Sequence, residues 1–205
     1  SPLRGEVEIP GSKSHTIRGV AIAALAAGTS TLRRPLHSAD AEAALRAYCA
    51  FGAAIERSED AWTVTGTNGV PAVPDDVIDL GNSGTTMNVA LATAALLPAG
   101  RCVLTGDAQV RRRPNGPLAD ALNALGATVQ ATRDNGCPPF VVGGRLRGGV
   151  VSFEAMTSQY VTALLLNAPL AEGDTTLDVP LMHEKPYVWM TLDWLARQGI
   201  RVAHD

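Results

Sequence analysis

Five short stretches of this chain carry residues suited to binding anions. The first is Gly11-Ser12-Lys13-Ser14, with Arg18 one turn further on. It follows a strand-like run at residues 6–9 and a Pro-Gly stop, and it opens an apolar run over residues 17–27 that predicts a helix. A helix start leaves backbone N–H groups unpaired and turns the positive end of the dipole outward. Two serines, a lysine and an arginine placed there suit a phosphate or carboxylate. The same residues also read as an ordinary serine N-cap with two solvated cations. The other stretches are Asn82-Ser83-Gly84-Thr85, Arg111-Arg112-Arg113-Pro114, Thr157-Ser158-Gln159 and Lys185-Pro186-Tyr187. A glycine at 84 lets backbone approach a ligand where a Cβ would intrude. Thr157 and Ser158 offer two hydroxyls and free N–H groups. Each motif also has a plain reading, as a turn glycine, a solvated basic loop or an N-cap pair.

The elements that must position these residues recur. Three Ser/Thr-rich turns, at 14–16, 83–85 and 157–159, each lead into an apolar helix, predicted at 17–27, 86–97 and 160–170. Each helix is followed by a glycine, Gly28, Gly100 or Gly173, read as its αL cap, and then by a β-prone run ending at 32, 104 or 177. A second helix is predicted at 41–51, 117–125 and 187–197, again with a glycine after it, Gly52, Gly126 or Gly199. Strands at 53–56, 128–131 and 200–203 come next, and return strands at 62–66 and 140–143 complete the first two units. The cap glycines recur about every 72 residues, a period that marks an internally repeated fold.

The predicted class is therefore α/β, with a strand–helix–strand–helix–strand–strand unit used three times over residues 14–80, 81–155 and 156–205. Helices packed inward around a pseudo-threefold axis, with sheets outside, would bury two apolar helices per unit. The three first-helix starts would then face one end. No linker separates the units, so residues 1–205 are expected to form one domain. The third unit stops before its return strand, which points to a longer protein.

Composition narrows the function. A net charge of −3 gives no basic field for nucleic acid, and the basic clusters are local. Three scattered cysteines without CxxC spacing argue for a reduced, cytoplasmic chain with neither disulfide frame nor zinc site. The most apolar run, 87–99, is too short to cross a bilayer and contains Asn88 and Thr93, so no membrane association is expected.

Together, Gly11-Ser-Lys-Ser14 with Arg18, Leu80-Gly-Asn-Ser-Gly-Thr85, Arg113-Pro114, Thr157-Ser-Gln159 and Lys185-Pro-Tyr187 resemble the N-terminal half of the 5-enolpyruvylshikimate-3-phosphate synthase family. The resemblance runs in order from about Leu3 to Asp205. It implies an inside-out α/β barrel domain that closes, with a C-terminal half of the same enzyme, over shikimate 3-phosphate and phosphoenolpyruvate. The implied reaction moves enolpyruvyl to the 5-hydroxyl and releases phosphate, with no metal or organic cofactor, on the shikimate route to chorismate and the aromatic amino acids. Lys13, Ser14, Arg18, Thr157, Ser158, Gln159, Glu184 and Tyr187 would meet shikimate 3-phosphate. Lys13, Asn82, Gly84, Arg113 and Gln159 would meet phosphoenolpyruvate, Gly84 also lining the glyphosate site. The general acid and base would lie on the other half, leaving this chain inactive alone. His15 has no implied role, and Arg111 and Arg112 are expected to be surface charge. The sister UDP-N-acetylglucosamine enolpyruvyl transferases differ: they carry Lys-Asn where this chain has Lys13-Ser14, and a loop cysteine absent from residues 109–115.

Two positions depart from the pattern. Asn88 stands where the family usually has arginine, and Glu184 where a serine usually helps hold the 3-phosphate. A desolvated carboxylate repels a phosphate, so Glu184 must swing away or the acceptor differs. The alternatives are thus a paralogous transferase acting on another alcohol and a non-catalytic anion-binding repeat module. Converging Lys, Arg and Gln side chains argue against the module.

Overall fold

The computed structural model describes residues 4–204; the ends of the resemblance, Leu3 and Asp205, lie outside them. Among the described residues six α-helices and nine strands follow in this order: α1 (Lys13–Leu25), β1 (Thr29–Arg33), α2 (Ala39–Ala50), β2 (Ala54–Arg57), β3 (Ala61–Thr65), β4 (Ile78–Asp79), α3 (Gly84–Ala94), β5 (Arg101–Thr105), α4 (Gly116–Ala124), β6 (Ala127–Ala131), β7 (Phe140–Gly144), β8 (Gly149–Ser152), α5 (Ser158–Asn167), β9 (Thr175–Asp178) and α6 (Lys185–Arg197). The strands form three sheets, ordered β1-β3-β2, β4-β5-β7-β6 and β8-β9. Where a leading strand exists it pairs parallel to the strand after the first helix, β4 with β5 and β8 with β9. The return strand enters antiparallel between the other two, β3 between β1 and β2, β7 between β5 and β6.

Beyond their first turns α1, α3 and α5 are enclosed on nearly every side, the pattern of a helix surrounded by protein. Residues 86–94 of α3 are all buried, as are most of α1 and α5. Their alanines let backbones approach closely, and α3 packs against α1, α2, α4 and α5. Inside this layer Tyr48 of α2 bonds Thr93 of α3 at 3.0 Å, and Thr93 reaches Asn167 of α5 at 2.9 Å. Paired polar groups at this depth set the helix registers, since a shift would strand them. The second helices bury one stripe each; α6 buries only Val188, Thr191 and Leu195.

Four expectations need correction. Residues 6–9 form no strand, and Val7 and Ile9 are exposed; no described strand lies beside them to take up their backbone groups. Residues 200–203 form none either, for the same reason. The αL caps are confined to the second helices, where Gly52, Gly126 and Gly199 directly follow the C-cap with φ of 98°, 104° and 78°. After the first helices the chain leaves earlier, and Gly28 and Gly100 serve the turns into β1 and β5. Gly173 is not left-handed at all, because α5 passes into a 3-10 turn, Ala168–Leu170, around Pro169.

Candidate active site

Lys13 is the first residue of α1, capped by the Ser12 hydroxyl. A Cβ on Gly11 would stand 2.7 Å from the Arg34 carbonyl oxygen, so only glycine lets the approach to α1 lie against the loop after β1. Arg18, 3 % exposed, ties three helices together. Its Nε donates to Thr191 Oγ1 at 2.8 Å, Nη1 to the Ser14 carbonyl at 3.0 Å, and Nη2 to Thr162 Oγ1 and the Tyr187 carbonyl, both at 3.0 Å. All four acceptors are neutral, and no carboxylate pairs with Arg18 among the described residues. Burial brings the guanidinium down to about 10, which leaves it charged at neutral pH. A buried cation without a counter-charge is costly, and an anion bound beside it offsets that cost.

Lys13 Nζ lies 3.6 Å from Asp40 Oδ2 on α2, and Asp40 Oδ1 accepts from Ser83 Oγ, the N-cap of α3, at 2.8 Å. Asp40 thus joins the starts of α1 and α3. A Cβ on Gly84 would stand 2.6 Å from Arg113 Nη1, so the Arg113 guanidinium rests against the bare α-carbon. Asn88, one turn along α3, donates from Nδ2 to Gln159 Oε1 at 3.0 Å, joining α3 to α5. Gly84, Asn88, Arg113, Asn115, Gln159 and Tyr160 are among the residues lining a cavity of about 300 Å³. A larger groove, about 440 Å³, runs along α1 past Leu32 and Trp194, and of the five anion-binding stretches only Ser12 lines it. His15 faces that groove and accepts from Trp194 Nε1 at 2.9 Å.

At the start of α5 a single oxygen, Glu184 Oε2, accepts from Thr157 Oγ1 at 3.1 Å, Ser158 N at 3.2 Å and Ser158 Oγ at 3.0 Å. Glu184 neither swings away nor caps its own helix. It is the N-cap residue of α6 with φ 56°, yet its side chain caps α5. Tyr187 is 43 % exposed, and only its backbone enters the Arg18 cluster.

One predicted residue behaves differently from expectation: the Asn82 side chain is turned to Asp107, donating to Oδ2 at 2.7 Å, and acts as a loop tether. Arg111 is exposed, as expected of a surface charge, and donates to the Gly106 carbonyl at 2.7 Å. Sequence reasoning also missed Asp40, Asp107 and Asn115. Asp40 and Asp107 are isolated acids in turns, and nothing local marks which basic or hydroxyl group each will meet. Asn115 sits two residues after Arg113, and that proximity was the only available signal. Among the described residues no three His, Cys, Asp or Glu side chains group as metal ligands, and no helix is long and apolar enough to cross a membrane.

The family model for EPSP synthase (3-phosphoshikimate 1-carboxyvinyltransferase) matches residues 1–205. The chain is 49 % identical over 206 residues to the 3-phosphoshikimate 1-carboxyvinyltransferase of Acetivibrio thermocellus and 45 % identical over 205 residues to that of Ruminiclostridium cellulolyticum. In both cases the match takes in 100 % of this chain and 48 % of the relative. Its fold superimposes on the solved EPSP synthase of Acinetobacter baumannii with a TM-score of 0.86 and 29 % identity, over 98 % of this chain and 45 % of that one. The chain therefore spans about half the length of the relatives it matches, and it belongs to the EPSP synthase family.

Proposed function

We propose that this chain is the N-terminal half of an EPSP synthase and forms one wall of its active site. In the complete enzyme the 5-hydroxyl of shikimate 3-phosphate bonds to C2 of phosphoenolpyruvate, and the C–O bond to phosphate breaks. Arg18, Ser14, Thr157, Ser158, Gln159 and Tyr187 take the phosphorylated acceptor. Arg113, lying on Gly84, clamps phosphoenolpyruvate with Lys13, while Asn82 contributes through the loop it holds. The general acid and base come from the C-terminal half, and the setting is cytoplasmic. The observation that carries this reading is the buried Arg18, bonded to four neutral acceptors at the junction of α1, α5 and α6. Such a cation gains most from an anionic ligand. The three sheets and the shared layer of first helices support a single domain of three repeats around a pseudo-threefold axis. In that arrangement the linked starts of α1, α3 and α5 open on one face.

One observation favours a second reading, transfer to an alcohol without the phosphate: Glu184 already occupies the donors at the start of α5. Titration calorimetry of the chain with shikimate 3-phosphate and with shikimate separates the two. Tighter binding of the phosphate ester supports the first; equal or weaker binding refutes it.

A further inference from the structure

We propose that Asn88 is a positioning residue for Gln159, fixing which end of the Gln159 amide faces the cavity beside Arg113. The inference rests on the reading above that this cavity receives an anionic substrate.

Asn88 is 4 % exposed, in the second turn of α3. Its Nδ2 donates to the Gly84 carbonyl at 3.0 Å. A backbone carbonyl can only accept, so the nitrogen of the Asn88 amide must be on that side. The same nitrogen has one further hydrogen, and at 3.0 Å it meets the Gln159 side chain, which must therefore present its oxygen. On the other side of Asn88, Oδ1 accepts from Asn115 Nδ2 at 2.7 Å. The polarity of the chain Asn115–Asn88–Gln159 is thus set at one backbone atom.

The consequence falls on the cavity. With Oε1 spent on Asn88, the free end of Gln159 is Nε2, which donates to no protein group among the described residues. Gln159 and Arg113 then line the same space as N–H donors, an arrangement that attracts carboxylate or phosphate oxygen and disfavours a hydrogen-bond donor at that point. A free glutamine would expose oxygen part of the time and repel an anion whenever it did. Asn88 removes that alternative; it lines the same cavity, but both hydrogens of its Nδ2 are spent on the Gly84 carbonyl and Gln159 and its Oδ1 accepts from Asn115, so its effect is exerted through the glutamine.

Neutron diffraction from deuterated crystals of this chain tests the polarity directly. Deuterium on Asn88 Nδ2 directed at Gln159 oxygen is expected; a Gln159 ND2 group facing Asn88 overturns the inference, whatever the ligand proves to be. A double-mutant cycle tests the role. Asn88→Ala is expected to weaken shikimate 3-phosphate binding about fivefold to tenfold when Gln159 is present, and by less than about twofold in the Gln159→Ala background. Equal losses in both backgrounds overturn the inference, because Asn88 would then act independently of Gln159. If Asn88→Ala does not fold, Asn88→Leu keeps the side-chain volume, adds no charge and removes both donor and acceptor, with the same background dependence expected. Failure of the wild-type chain to bind the ester would count against the proposed function, and the diffraction result would still decide the role of Asn88.

Discussion

Glu184 sends its carboxylate to the start of a helix that is not its own, and three donors converge on one oxygen there. That oxygen stands where an anionic substituent of a ligand would be bound by the same groups. The side chain is exposed, so a route into solvent is open. Replacing Glu184 with serine vacates the donors and adds a hydroxyl. Affinity for shikimate 3-phosphate, measured by calorimetry, should rise by about 1.5–3 kcal/mol, the range for hydrogen bonds to a charged group. Weaker binding in Glu184→Ser would make the carboxylate a recognition element and the paralogue reading the correct one. Gly84 sets a second test. A methyl group there meets Arg113 Nη1 at 2.6 Å, and the flexible guanidinium is the partner that can move. Gly84→Ala should therefore leave the melting temperature nearly unchanged. It should weaken phosphoenolpyruvate binding in the complete enzyme about tenfold, through loss of a charge-assisted contact. Unchanged affinity would remove Arg113 from the site.

At the scale of elements, the loop that carries Arg113 is held by one acid. Asp107 Oδ1 accepts from the N–H groups of Gln109 and Val110 at 2.9 Å each, and Oδ2 accepts from Asn82 at 2.7 Å. The Val110 N–H foremost, with help from Asn82, Gln109 and the Arg113 charge, lowers the Asp107 pKa against a smaller opposing effect of burial. A lowered folded-state value means the stabilisation is complete above the ordinary carboxylate range and disappears as pH falls through the lowered value. Wild type should melt above Asp107→Asn at neutral pH, and the difference should close as pH falls below the ordinary carboxylate range and through the lowered value. A gap that stays constant over that window would contradict the loop-anchoring role.

For the whole molecule, Asp40, Arg18 and Asn88 link α1, α2, α3 and α5, while the chain spans about half of its relatives. The chain alone should bind shikimate 3-phosphate weakly by calorimetry yet release no phosphate from phosphoenolpyruvate above the uncatalysed rate. Turnover by a preparation free of contaminating enzyme would show that the acid and base lie on this half.

Sequence by itself determined what is local. Apolar runs marked the enclosed helices α1, α3 and α5, although each begins two to four residues before the predicted 17, 86 and 160, at the caps Ser12, Ser83 and Thr157. Gly52, Gly126 and Gly199 end the second helices left-handed. These signals act within a turn or two, so the residues that carry them are neighbours in the chain. Strands were less legible: 6–9 and 200–203 have β-prone residues but no described neighbour to pair with, and a strand exists only with a partner. The pairings of the site were not legible at all. Arg18 meets Thr162 and Thr191 across 144 and 173 residues, Asn88 meets Gln159 across 71, and Glu184 crosses 26 to reach Ser158. Which polar group meets which at such separations depends on how the helices pack, and only the tertiary structure decides that.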